Sequence, residues 1–320
     1  MKTFKENGVM YYKPFFENDV GADRGGTLLK ILKDHKLEIE TTHAQREALK
    51  WLMFYDSAYV DLKAIEDVGE ILQRYALAVL FFSTYPGAMA NRTTIDLQED
   101  HHPATTSIAL QGGGHHYVHP KDQEEDHVRR NRRQRRRRRL ASYGAKWMSH
   151  ENVCQWEGVG CTVAYSRHLV TNLNMSHAYL RGSLPDELVL LEDLVHLDLG
   201  HNYLEGGIPL KYTHKFERLE YLMLQDNLLT GHLPDDIDLW SSLVYVDMSK
   251  NKFSGELPAS LDKLTKLEVL FLQENLISGT IPPMGNLEKL GKIDLTLASL
   301  FVVLLTLPSY PNTLFLCRVY

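Results

Sequence analysis

The chain has 320 residues, 44% of them hydrophobic, which is long enough for two domains and ordinary for globular protein. Its net charge of −6 hides an asymmetry: residues 129–139 (RRNRRQRRRRR) hold nine arginines, so removing them leaves −15 for the rest. Three cysteines, Cys154, Cys161 and Cys317, exclude a disulfide-dense scaffold, although the first two lie close enough to pair.

The amino terminus lacks the apolar run and small-residue cleavage site of a secretory signal. Residues 1–36 are polar and broken by Gly21, Gly25 and Gly26, so they read as disordered, with a turn of helix near Leu28 to Leu32. Between 37 and 84 the pattern becomes helical. Ala44, Ala48, Trp51, Leu52 and Tyr55 share one side of a helix entered from Thr41 or Thr42. Asp61 is placed to cap a second helix, with Ile65, Val68, Ile71, Leu72, Tyr75, Val79 and Phe82 along its core-facing stripe. Such a pair has little core of its own and is expected to dock against the first turn of the repeats that follow, or against a partner.

Residues 85–146 carry no periodicity and read as a disordered linker or insertion. The arginine tract within it, Arg129 to Arg139, has three readings: a nucleic-acid or nuclear-import patch, a basic cleavage site, or a solvated linker. The acidity of the remaining chain argues against nucleic acid as the main partner. His101, His102, His115, His116 and His119 lack a cysteine or helical frame, so no metal site is assigned. Asn91 and Asn174 fit the glycosylation acceptor pattern without deciding the compartment.

From Val170 the sequence repeats. VTNLNMSHAYLRGSLP, LVHLDLGHNYLEGGIP, LEYLMLQDNLLTGHLP, LVYVDMSKNKFSGELP and LEVLFLQENLISGTIP begin at 170, 194, 219, 243 and 267, with periods of 24 or 25. Alternation in LxxLxL sends Leu197, Leu199, Leu222, Leu224, Val246, Met248, Leu270 and Leu272 inward from short strands. The residues between them face outward. One outward column is Asn172, His196, Tyr221, Tyr245, Val269 and Lys292; the next is Asn174, Asp198, Met223, Asp247, Phe271 and Asp294. Asn202, Asn227, Asn251 and Asn275 follow the strands, where an amide can bond the backbone of adjoining turns. Ala178 replaces that asparagine in the first copy, so this rung is expected to be looser. The glycine and proline of each GxLP or GxIP end turn the chain and stop strand pairing.

The pattern LxxLxLxxNxLxGxIP resembles the plant-type leucine-rich-repeat family, and WMSHENVCQWEGVGC (147–161) resembles its amino-terminal cap. The cap resemblance implies a disulfide between Cys154 and Cys161, with Trp147 and Trp156 covering the first coil. THAQREALKWL and LQRYALAVLFFST are similar to the segment preceding the repeats in leucine-rich-repeat proteins of diatoms.

The expected fold is therefore an α/β leucine-rich-repeat solenoid with a parallel concave sheet. A cap (147–168) and repeats (169–294) come after the helical pair and the linker. Residues 295–320, hydrophobic and without a polar terminal repeat, read as an irregular tail that covers the last coil, with membrane association as the rival reading.

No nucleophile, phosphate-loop or cofactor motif is present, so the chain reads as a non-catalytic scaffold without cofactor. His196, Asp198, Tyr221, Met223, Tyr245, Asp247 and Phe271 are the candidate residues for a protein, peptide or glycan ligand, since rigid aromatics bury area at small entropic cost. The alternative is a nucleic-acid-associated protein docking through Arg129 to Arg139. The family resemblance and the cysteine pair favour a membrane-linked or extracytoplasmic protein if residues precede Met1.

Overall fold

The computed structural model describes residues 2–6, 9–13, 19–35, 42–54, 68–85, 147–149, 151–164, 167–296, 299–301 and 315–316. The amino-terminal part holds an antiparallel pair, β1 (Lys2–Glu6) and β2 (Val9–Lys13), and three helices, α1 (Asp19–Asp34), α2 (His43–Phe54) and α3 (Val68–Thr84). The stretch expected to be disordered thus contains a hairpin and a 16-residue helix. Its glycines each cost roughly 1 kcal/mol of helix propensity. Burial of Leu28 and Leu32, one helical turn apart, in the common core offsets that cost.

Thr42 is the residue that caps α2. Its Oγ1 accepts from the Gln45 amide at 3.1 Å while Gln45 Oε1 accepts from the Thr42 amide at 2.8 Å, a reciprocal capping box. The described part of the second helix begins at Val68, and the expected cap Asp61 lies outside the described residues. So do 86–146, with the arginine tract and the histidine cluster.

After residue 146, β3 (Val159–Ala164) runs antiparallel to β4 (Arg167–Asn174), and the chain then coils. Each coil contributes one strand to each of two parallel sheets. The concave sheet continues with β6 (His196–Asp198), β8 (Tyr221–Met223), β10 (Tyr245–Asp247), β12 (Val269–Phe271) and β14 (Lys292–Asp294). The second sheet comprises β5 (Arg181–Ser183), β7 (Tyr203–Gly206), β9 (Leu228–Gly231), β11 (Lys252–Gly255) and β13 (Leu276–Thr280). The return path on the convex side is made of short 3-10 turns such as Asp186–Leu190 and Ala259–Lys263, and one short helix, α4 (Lys211–Lys215).

Period-2 alternation explains the core. Leu197, Leu222, Val246, Leu270 and Ile293 are buried beneath the concave strands, and Leu199, Leu224, Met248, Leu272 and Leu295 extend the same layer. On the convex side Tyr212 and Trp240 are fully enclosed; Tyr212 Oη donates to Pro185 O at 2.8 Å, and Trp240 Nε1 donates to Tyr212 O at 2.9 Å. These two bonds stitch three successive coils together.

The expected irregular tail is corrected in two places. Ser299–Phe301, here β15, pairs parallel with β13, and Phe315–Leu316, here β16, pairs parallel with β14. An open sheet edge presents unpaired N–H and C=O groups, and an extended segment recurring at about the coil period can satisfy them even without the asparagine and proline of the motif.

Candidate functional site

The solenoid is closed at its amino end by two layers. Cys154 and Cys161 form a disulfide, and Trp147 and Trp156 are buried with ring centroids 5.3 Å apart. The second layer is α3, the second helix of the pair expected from sequence to dock against the first turn of the repeats or a partner. Arg74 sits within its apolar stripe and is completely buried. Its guanidinium lies 5.2 Å from the ring centroids of both Trp51 and Trp156, and donates to Glu151 O at 2.7 Å and Ser149 O at 2.9 Å. Gln73 beside it accepts from the Val170 amide at 2.7 Å and donates to His168 O at 3.3 Å. Gln45 donates to the buried Glu187 carboxylate of the first coil. Gln73 and Arg74 interrupt the apolar run of α3, and that interruption is the one trace of the closure in the sequence, although it does not name their partners.

Close approach of α3 also explains one glycine. Gly182 has φ +82°, and a Cβ there would lie 2.8 Å from the Ser83 carbonyl oxygen. Only glycine fits both the backbone and the space.

Inside the coils the asparagines stack as a ladder. Asn227 Oδ1 accepts from the Leu204 amide at 2.9 Å, and its Nδ2 donates to Leu199 O at 3.0 Å and Leu224 O at 3.1 Å. Asn202, Asn251 and Asn275 repeat the arrangement. Ala178, at the equivalent place in the first coil, has no preceding coil of the same kind to bond, because β5 is the edge strand of its sheet.

The outward columns fall in the register expected. Asn172, His196, Tyr221, Tyr245, Val269 and Lys292 are successive partners across the concave sheet, as are Asn174, Asp198, Met223, Asp247, Phe271 and Asp294. The aromatic members form one ladder. Ring centroids are 5.4 Å apart for His196 and Tyr221, 6.5 Å for Tyr221 and Tyr245, and 6.0 Å for Tyr245 and Phe271, the last edge to face. Met223 lies half-buried in the second column, between Asp198 and Asp247.

The aspartates have a second task that alternation alone does not reveal. Asp198 Oδ1 accepts from the Gly200 amide, Asp247 Oδ1 from the Ser249 amide and Asp294 Oδ1 from the Thr296 amide, each at 3.0 Å. These are Asx turns that end each strand, and Asn174 makes the same one to Ser176. Burial first, and then the carboxylates of Asp247 and Asp198, raise the pKa of the Tyr245 phenol above the usual 10.0.

A further row is not apparent from sequence. Immediately before the asparagine position, His177, His201, Asp226, Lys250 and Glu274 all have φ between 54° and 58°. The His177 and His201 rings stack at 4.1 Å, and His201 Nδ1 lies 2.9 Å from Asp226 Oδ2. Mixed residue types in this row disguise its shared backbone geometry.

Comparison with known proteins agrees with this architecture. The family described as Leucine Rich Repeat matches residues 242–264. The receptor-like protein kinase HSL1 of Arabidopsis thaliana is 40% identical over 70 residues, which is 22% of this chain and 7% of that protein. The BIR2 ectodomain of the same species is 32% identical over 42% of this chain and 69% of that one, with a TM-score of 0.40. The chain is a plant-type leucine-rich-repeat protein. The ectodomain of the Arabidopsis receptor kinase HAESA, solved with an IDA peptide hormone ligand, is 31% identical over 50% of this leucine-rich-repeat chain and 27% of its own, with a TM-score of 0.46. The shared region is thus a small part of HSL1 and about a quarter of the HAESA ectodomain.

Proposed function

We propose that this chain is a non-catalytic recognition scaffold that holds a protein or peptide ligand on its concave sheet. The observation that carries the reading is the ladder His196, Tyr221, Tyr245 and Phe271, four rings on a rigid curved surface with neighbouring centroids 5.4–6.5 Å apart. Large rings fixed by a sheet lose little entropy on binding, which is why such residues concentrate binding energy. The helices and the cap brace the end of the sheet, so the surface is formed before a ligand arrives. We place the solenoid in an oxidising compartment, on the strength of the Cys154–Cys161 bridge and of relatives named as receptor-like kinases.

The test is selection of a random-peptide display library on the full chain, followed by titration of the selected peptides. Combined Tyr221→Ala, Tyr245→Ala and Phe271→Ala substitution is expected to weaken them by about a hundredfold or more, while the circular dichroism and melting of the chain change little. Peptides that bind the triple variant as tightly as the original would overturn the concave-face assignment.

A further inference from the structure

The first-column part of the ladder, His196, Tyr221 and Tyr245, lies between two rows that carry acid. One row, immediately before the strands, runs Val195, Glu220, Val244, Glu268 and Gly291. The Glu220 amide donates to Val195 O and the Glu268 amide to Val244 O, which keeps the row in register. On the other side stand Asp198, Asp247 and Asp294. None of these five carboxylates forms an ion pair with another described residue, in contrast to the convex side, where Lys211–Asp186, Lys215–Glu192, Arg218–Asp193 and Lys263–Asp238 pair between coils. The basic groups along these rows are His196 and Lys292.

The ladder already takes a cation at one end, where Lys292 Nζ lies 4.6 Å from the Phe271 ring centroid. Elsewhere the same chemistry recurs with Arg181 over Tyr203, at 5.2 Å. A guanidinium plane can lie on a tyrosine face and direct its N–H groups to a neighbouring carboxylate, which a ring alone or an acid alone cannot match. Spacing adds a further condition. Side chains on one face of an extended peptide recur every ~6.7 Å, close to the 6.5 Å between the Tyr221 and Tyr245 centroids.

We propose that the concave face selects an extended basic peptide with arginines at alternate positions, their side chains lying on Tyr221 and Tyr245 and reaching the flanking carboxylates. This rests on the concave face being the binding surface. It adds the chemical class and spacing of the ligand.

The probes are three fluorescein-labelled seven-residue peptides that alternate glycine with arginine, glutamate or leucine, followed by anisotropy on the full chain. The titration is repeated on a variant with the nine arginines of residues 129–139 replaced by serine, so that the chain's own basic segment does not compete. The arginine peptide is expected to bind and to weaken as salt rises. Combined Glu220→Gln, Asp247→Asn and Glu268→Gln should weaken it by about tenfold. Asparagine at 247 keeps the Asx turn, as Asn174 does, so that variant stays folded.

Equal binding of all three peptides, or an arginine peptide indifferent to the charge substitutions, overturns the proposal. Binding of the leucine peptide alone, lost in the triple aromatic variant, overturns the basic class and leaves the concave surface standing. Should none of the three bind while library peptides do so through the aromatic residues, the class again falls by itself. If no peptide of either kind binds, both readings fall.

Discussion

The middle coils and the amino-terminal closure face the same problem, a layer of backbone whose N–H and C=O groups need partners, and solve it by different means. In the middle, each coil supplies one asparagine and the preceding coil supplies the groups it reaches across to, so a single residue type repeated every 24 or 25 positions suffices. At the amino end no earlier coil exists. There Arg74, Gln73 and Gln45 each meet the backbone or a carboxylate of the cap and first coil through bonds that do not recur among the described residues. Repetition spreads the burden over equivalent rungs, whereas the closure concentrates it on residues without substitutes.

That contrast can be broken most directly at Arg74. Arg74→Ala would leave two carbonyls without their donor and a void between two tryptophan rings, and is expected to cost roughly 4 kcal/mol in a urea or thermal unfolding measurement. A loss under 1 kcal/mol would show that the helices do not close the solenoid. Asn251→Ala removes an acceptor for the Leu229 amide and donors to Leu224 O and Met248 O, with an expected loss of about 2–3 kcal/mol. Equal losses at Arg74 and Asn251 would erase the difference between the two regions.

The smallest effect concerns the junction of the first two full coils. Tyr212→Phe deletes the bond to Pro185 O and should cost about 1 kcal/mol at neutral pH. Burial, then Asp186 and Glu187, raise the Tyr212 pKa well above 10.0. The folded state therefore retains this proton when the unfolded chain has begun to lose it. The corresponding stability is complete below pH 10 and falls as pH rises beyond that value. Unfolding monitored from pH 8 to 11 should show a shallower alkaline loss in the Tyr212→Phe variant; identical slopes would contradict the assignment.

The concave columns were legible because a strand period of two and a coil period of 24 or 25 together fix both the facing and the register of Tyr221, Tyr245 and Phe271. The asparagine ladder was legible for the same reason. Arg74 was not, because an arginine in an apolar helix makes sense only once Trp156, Ser149 and Glu151, some 75 to 82 positions away, are brought to it. The helix at Asp19–Asp34 was hidden by its glycines, whose local cost outweighs Leu28 and Leu32 until α2 is there to cover them. The turn-closing role of Asp198 and Asp247 was hidden by their neighbours in the same column, since Met223 and Phe271 cannot make that bond.

One detail of the closure bears on how this chain can vary. Phe81 stacks on Trp147 with centroids 6.2 Å apart, and Tyr85 stacks on Phe81 at 4.7 Å. The 61 residues between Tyr85 and Lys146 inclusive of the latter therefore leave and rejoin the fold at neighbouring points. Between points so close together, the entropic cost of closing a flexible chain depends weakly on its length: halving or doubling it changes that cost by only about 0.6 kcal/mol. A chain of another length or composition could therefore join these two points while the solenoid keeps its shape.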